Sequence, residues 1–441
     1  MKIIRVISLL VILLLCNGMT SCGNSSKNTA TILAVTSSDR CVSDSLNSYE
    51  VFVPERKETD QSLPLLVILD PHGSGKSALQ KFLLAAERYS AVLVASNLVK
   101  NNLPDYDAVI QKLIEDVRVK YPVGKVVFIS GFSGGARMAI GYAMNHSVNG
   151  LLLCGALASP ADLQKVGAPV YSISGTDDFN FMETAQYLFQ EASIPANLKI
   201  ELTSSSHNWP DSLTLADAFG YIRLACSDVE KISDTSLSDY VKQVNSKMDS
   251  LKNKGEWLKT MLVARNMSTT PPFNTDKTFL DLYLSLKAAP EYNAQIALLM
   301  ENLQLEMQVR QPYLEALQTK NIDWWKNERN KIENQIQSAP NAFVGDANRR
   351  IKAFWGIACY SFCRQASQEH NAAVLNQILP IYRLLEPENP DMFYFSAFIP
   401  YWQGDQTSSI LLLNKALQKG YTDRVQLQKD FPNLKFSQLH T

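Results

Sequence analysis

"KVVFISGFSGGARMA", residues 125 to 139, carries a Gly-x-Ser-x-Gly motif between an apolar run and a helix-like stretch. The apolar run reads as a strand, so Gly131, Phe132, Ser133, Gly134 and Gly135 stand at a strand–turn–helix junction. A turn that tight forces the serine into a strained backbone and lifts its hydroxyl above the sheet. Side chains at 131 and 135 would strike neighbouring backbone, which is why both are glycine. The motif alone is common, but at such a junction it marks Ser133 as the candidate nucleophile.

Working outward, residues 46–226 alternate apolar runs with helix-like stretches. The strand candidates are "YEVFVP", "LLVILD", "AVLVAS", "KVVFIS", "GLLLCGAL", "VYSIS" and "LKIEL"; "DAVIQKLIEDVRVKY" and "GARMAIGYAMNH" are among the helices between them. Near-continuous Val/Ile/Leu runs alternating with helices imply an α/β domain with a mainly parallel, doubly wound sheet.

Beyond about residue 230 the strand signal stops. "SLSDYVKQVNSKMDSLKNKGEWLKTMLVARN" and "NAQIALLMENLQLEMQVRQPYLEALQ" repeat apolar residues every three or four positions, so residues 235–441 read as an all-α domain. "MSTTPPFNTD" (267–276) interrupts it as a loop. Near 389–421, Ala397, Gly404, Ser409, Ala416 and Leu417 are spaced to let two antiparallel helices pack closely. That spacing resembles one tetratricopeptide repeat. Pro400 inside the first helix departs from it, and an ordinary helical bundle is the alternative.

A serine hydroxyl needs a base, and the base needs an orienting group. His146 lies at the end of the helix leaving the motif, and His370 and His440 belong to the helical half. His207, in "SSSHNWP" just past a strand, is the candidate base. "VYSISGTDDFN" ends a strand with Gly175, Thr176, Asp177 and Asp178, so a carboxylate projects from the carboxyl end of the sheet, where Ser133 also emerges. Asp178 is preferred over Asp177, because a strand-end Gly-Thr-x-Asp presents its fourth residue. The resulting order along the chain is Ser, Asp, His, as expected for an α/β-hydrolase.

"DPHGSGKS" (70–77) poses a choice between a phosphate loop and an oxyanion loop. A Walker loop needs glycine five residues before its Gly-Lys pair, and that position is Asp70. The stretch therefore reads as the oxyanion loop, with Gly73 or Ser74 and the N–H of Gly134 as donors. His72, Phe132 and Trp209 are placed at the substrate pocket, loop packing being the alternative for Trp209.

Together "SYEVFVPE", "LPLLVILDPHGSG", "GFSGGARMA", "GTDD" and "HNWP" resemble the polyhydroxybutyrate depolymerase and feruloyl esterase branch of the α/β-hydrolases, over residues 48–224. The resemblance implies Ser133 as nucleophile, Asp178 as orienting group, His207 as base, and esters as substrates. Two features depart from the branch: serines precede His207 where glycines are usual, and Asp70 and Pro71 replace a single apolar residue. "ASPADLQKVGAP" is too short to hold a lid domain. The site is then either open or roofed by the helical half, and an open site is favoured.

The first residues, "MKIIRVISLLVILLLCNGMTSC", join a Lys/Arg start to an apolar run short of a membrane span at about 20 residues. Met19, Thr20, Ser21 and Cys22 resemble a bacterial lipobox. That gives a signal peptide at 1–21, lipidation of Cys22, and a polar tether over 22–45. It places the protein in a bacterial cell envelope, facing the periplasm or on the cell surface. Such a compartment permits disulfides, and Cys41 and Cys226 bracket the first domain as a possible pair. Cys154 reads as a buried small hydrophobe. Cys359 and Cys363 have no metal-ligand neighbours, and neither a metal nor a cofactor is expected. A formal net charge of −1 argues against nucleic-acid partners. Expected partners are a small-molecule or polysaccharide-linked ester, the membrane through Cys22, and a protein bound by the helical half. The competing readings are a Ser-Asp-His peptidase and a silent hydrolase fold with a partner-binding helical domain.

Overall fold

The computed structural model describes residues 31–57, 62–190, 194–226, 234–275 and 277–435, together with Ser437 and Leu439. The signal peptide, Cys22 and His440 lie outside them. Eight strands form the main sheet: β1 (Val35–Arg40), β2 (Ser48–Val53), β3 (Leu63–Leu69), β4 (Val92–Ser96), β5 (Val123–Phe132), β6 (Gly150–Cys154), β7 (Val170–Gly175) and β8 (Leu198–Thr203). Their order is β1-β2-β4-β3-β5-β6-β7-β8. Only β2 runs against its neighbours; the pairings from β4 through β8 are parallel. Leu65, Leu66, Val67, Ile68 and Leu69 are fully buried on both faces of the sheet, as its apolar runs require.

Helices α1 (Gly75–Lys81) and α2 (Leu83–Tyr89) follow β3, and α3 (Tyr106–Lys120) follows β4. After β5 to β8 come α4 (Gly134–Asn145), α5 (Pro160–Leu163), α6 (Phe181–Phe189) and α7 (Ser212–Ala225), the last capped by Asp211, whose side chain accepts from Leu213 and Thr214 N–H. This strand order, with a serine turn between β5 and α4, is the α/β-hydrolase fold, and an all-helical region follows it.

Two expectations need correcting. Residues 35–40 belong to β1, not to a tether, and pair antiparallel with β2 along their whole length. "VTSSDR" is polar because the strand is an exposed sheet edge. Side-chain bonds anchor it, with Asp39 accepting from Lys120 and Tyr121. Cys41 and Cys226 are both free thiols. Cys226 Sγ donates to Asn149 O, just ahead of β6, whereas Cys41 follows β1. Five strand spacings separate these places in the sheet, roughly 24 Å at about 4.8 Å each, far beyond bridging reach.

The helical region comprises α8 (Asp234–Asn253), α9 (Trp257–Ser268), α10 (Thr278–Ala288), α11 (Pro290–Thr319), α12 (Ile322–Gln337), α13 (Ala342–Gln368), α14 (Ala372–Leu385), α15 (Pro390–Ser396), α16 (Phe398–Trp402), α17 (Gln406–Gln418) and α18 (Arg424–Asp430). The apolar cores divide later than the switch in periodicity suggests. The sheet's core continues through α8 to α10 as far as Leu303, and a second core runs from Ala316 to Leu439. The physical reason lies at β8. Asn266 of α9 accepts from Ile200 N–H at 3.3 Å and donates to Ile200 O at 2.9 Å, closing the sheet edge as a further strand would. Helix α11, which has Pro312 inside it, contributes to both cores, with Leu299 and Leu303 in the first and Ala316 and Leu317 in the second. Near the end, the helix of the expected close pair is split at Ala397, whose carbonyl accepts from Ser409 Oγ at 3.2 Å.

Candidate active site

Ser133 has φ 52° and ψ −117°, a left-handed backbone that a non-glycine residue holds only where its surroundings enforce it. Two glycines do so. A Cβ on Gly131 would lie 2.3 Å from Gly135 backbone, and one on Gly135 only 2.0 Å from Leu69 O. The Ser133 N–H donates to Cys154 O at 2.8 Å, which ties the turn to the end of β6. The serine stays partly exposed above the sheet.

Ser133 Oγ lies 2.9 Å from His207 Nε2. On the ring's other side, Nδ1 lies 2.9 Å from Asp178 Oδ1 and 2.8 Å from Oδ2. A carboxylate accepts only, so Nδ1 carries the proton and Nε2 is left to accept from the serine hydroxyl; the partners assign this tautomer. Asp178 is 2% exposed and also accepts from Asn180 N–H at 2.8 Å. The His207 ring is held between Phe132 (centroids 4.7 Å) and Phe179 (4.2 Å). Asp177 turns the other way, accepting from Arg349 Nε at 2.9 Å. Burial pushes its carboxyl up, as does nearby Asp346, while Arg349 pulls it down. The strand end thus brings Asp178, and not Asp177, to the imidazole.

The loop after β3 departs from expectation. Gly73 N–H donates to Asp70 O at 3.1 Å and Ser74 N–H to Asp70 Oδ1 at 3.3 Å, so either amide offered as the oxyanion donor of this loop is engaged by Asp70. His72 N–H donates to the same Oδ1 at 2.9 Å. The buried Asp70 carboxylate gathers the loop around itself. Gly134 N–H stands at the first position of α4, where no helical carbonyl can reach it.

A group missed in the sequence lies beside it. A Cβ on Gly134 would sit 1.7 Å from Asn101 Oδ1 and 3.4 Å from Nδ2, so the Asn101 carboxamide packs directly on the elbow. No local pattern around Asn101 signals this.

The expected pocket residues divide. The His72 side chain is 68% exposed, 3.8 Å from Asp70. Phe132 is buried, its ring stacked toward both His207 and Trp209. Trp209 is partly buried, with its edge on Phe82 and its Nε1 bonded to Asp70 Oδ2. Phe132 and Trp209 thus pack against each other and against the residues His207 and Asp70. His146 pairs with Asp107 at 2.8 Å, and His370 stacks on Trp402. The helical region reaches the turn that carries Asp178, where Arg349 bonds Asp177 and Arg350 bonds Thr176 O. Among the described residues, no group of three or more His, Cys, Asp or Glu is placed to hold a metal.

No protein-family model matches the sequence, and no curated protein is similar to it. Solved structures with some likeness include FphF, a fluorophosphonate-binding serine hydrolase of Staphylococcus aureus (14% identity, 45% of this chain and 99% of that one, TM-score 0.35). Est1E from Butyrivibrio proteoclasticus (11%, 43% and 98%, TM-score 0.35) and the acylaminoacyl peptidase of Pyrococcus horikoshii (11%, 44% and 41%, TM-score 0.34) are two others. The fold assignment rests on the strand order and the serine turn, not on these likenesses.

Proposed function

We propose that this chain is a serine hydrolase that cleaves carboxylic esters through an acyl-Ser133 intermediate. One observation carries the proposal: an unbroken hydrogen-bonded line from Asp178 through His207 to a serine held at φ 52°. His207 Nε2 takes the Ser133 proton as Oγ attacks the ester carbonyl, and Asp178 steadies the imidazolium that forms. His207 then gives the proton to the departing alcohol. Water repeats the sequence on the acyl-serine and restores the serine.

The oxyanion needs donors in place before charge develops. Gly134 N–H supplies one, and we assign the second to Asn101 Nδ2, which lies farther from the elbow than Oδ1 but within 3.4 Å of a Gly134 Cβ position, since Gly73 and Ser74 are engaged by Asp70. The "HNWP" and "GFSGG" resemblance supports an ester, on a small molecule or on a polysaccharide, as the substrate. The lipobox-like residues ending at Cys22 support tethering of the enzyme to an envelope membrane.

The test is covalent labelling by a fluorophosphonate probe, with Ser133→Ala as the comparison. Labelling confined to the wild type supports the reading and justifies assays on short-chain and aromatic esters. A folded wild type that takes no label overturns it.

A further inference from the structure

Four side chains of the helical region close on the turn that carries Asp178. Arg350 of α13 is 1% exposed. Its Nε donates to Glu306 Oε2 of α11 at 2.8 Å, its Nη1 to Thr176 O, and its guanidinium lies 5.0 Å over the Phe181 ring. Glu306 is wholly buried, and its Oε1 accepts from Arg310 Nη2 at 2.6 Å. That same nitrogen approaches Phe179 O at 3.5 Å. Arg349 completes the set through Asp177. Thr176, Asp177, Phe179 and Phe181 are therefore all touched from outside the hydrolase sheet, and Asp178 lies in their midst.

Burying an ion pair such as Arg350–Glu306 is a poor way to glue two bodies together, because desolvation consumes most of the attraction. What such a pair provides is geometry: a planar guanidinium held by a carboxylate is a fixed fork. Here one prong of the fork is aimed at a carbonyl two residues before Asp178.

The geometry points to Arg350, Glu306 and Arg349 as positioning residues that hold the Asp178 carboxylate against His207 Nδ1. The helical region is then a working part of the catalytic apparatus. This inference rests on the serine hydrolase reading.

The test uses the full chain. Arg350→Lys keeps the charge but not a fork able to bridge Glu306 and Thr176 O. Should that variant fail to fold, Arg349→Ala, at a half-exposed position, carries the test. Gln243→Ala serves as the control, since it removes the hydrogen bond that Gln243 Nε2 of α8 donates to Asp217 Oδ1 of α7, a contact between the same two regions away from this turn. Two quantities are read. One is the downfield proton resonance of His207 Nδ1–H, identified by its loss in Asp178→Asn. The other is kcat and KM for p-nitrophenyl acetate as a function of pH.

Arg350→Lys is expected to lose or shift the resonance, to lower kcat about 10- to 100-fold with KM unchanged, and to move the acid limb of kcat/KM to lower pH. Arg349→Ala is expected to do the same to a smaller extent, and Gln243→Ala to do neither. Wild-type resonance and kcat in folded Arg350→Lys and Arg349→Ala would overturn the inference. So would equal losses in Gln243→Ala, which would reduce the contact to general docking. A wild type inert toward the ester, whose resonance Arg350→Lys still abolishes, would sink the ester reading and uphold the positioning role.

Discussion

Trp209 Nε1 donates to Asp70 Oδ2 at 2.9 Å, joining the loop that carries His207 to the loop after β3. One carboxylate oxygen gathers the His72 and Ser74 amides, and the other holds the indole. Trp209→Phe keeps the ring contacts and strands a buried carboxylate oxygen, at a cost of about 1–3 kcal/mol. Chemical denaturation is expected to show that loss. Asp70→Ala should be worse, because it releases two amides and the indole together.

The serine turn tolerates no added carbon. Gly135→Ala puts a methyl group against Leu69 O, a backbone atom of a central strand that has nowhere to go. Overpacking of that kind costs roughly 1–3 kcal/mol or more. The variant is expected to lose both thermal stability and fluorophosphonate labelling, whereas Ser133→Ala should lose labelling alone.

Asn101 offers a sharper kinetic test. If its carboxamide meets the oxyanion, Asn101→Ala lowers kcat by about 100- to 1,000-fold with KM little changed, and Asn101→Asp is lower still because it places negative charge against negative charge. Equal kcat in Asn101→Ala and the wild type would remove Asn101 from the mechanism.

Asp391, at the start of α15, gives a pH signature. Burial pushes its carboxyl up to about 6, with Glu386 adding to the rise and His72 opposing it. The folded form therefore holds a proton that the unfolded chain releases near its ordinary value of 3.8. Stability from this group is full below that value and is lost as pH climbs to about 6. Asp391→Asn should be more stable than the wild type at pH 7.5, with the gap in melting temperature closing toward pH 4.

Much of this was legible in residues 46–226, since the strands are long apolar runs and the serine turn has a steric logic that glycines reveal. The choice of Asp178 over Asp177 was legible too, because the turn after β7 has a fixed geometry. What escaped was partnership. "VTSSDR" reads as a tether because an edge strand needs no apolar alternation, only a neighbour's backbone. Helical periodicity reports which face is apolar but not what it meets, so α9 gave no sign that it seals β8. A clue did exist in α11 and α13. Glu306 continues the buried spacing of Leu299 and Leu303, and Arg350 sits beside buried Ala347 and Ile351. A charge in a core position asks for a partner, but the helix alone does not say that the partner is the Asp178 turn.

The seal on β8 bears on how the protein is made. Asn266 lies 66 residues after the strand position it covers, so on the ribosome the sheet is complete before its border is protected. A nascent chain halted between α7 and α9 offers bare Ile200 amide and carbonyl groups to any extended segment nearby. Expression of a fragment ending near residue 226, the boundary that periodicity suggests, would keep that vulnerable stage permanently. Fragments meant to isolate the hydrolase fold should therefore extend beyond α9.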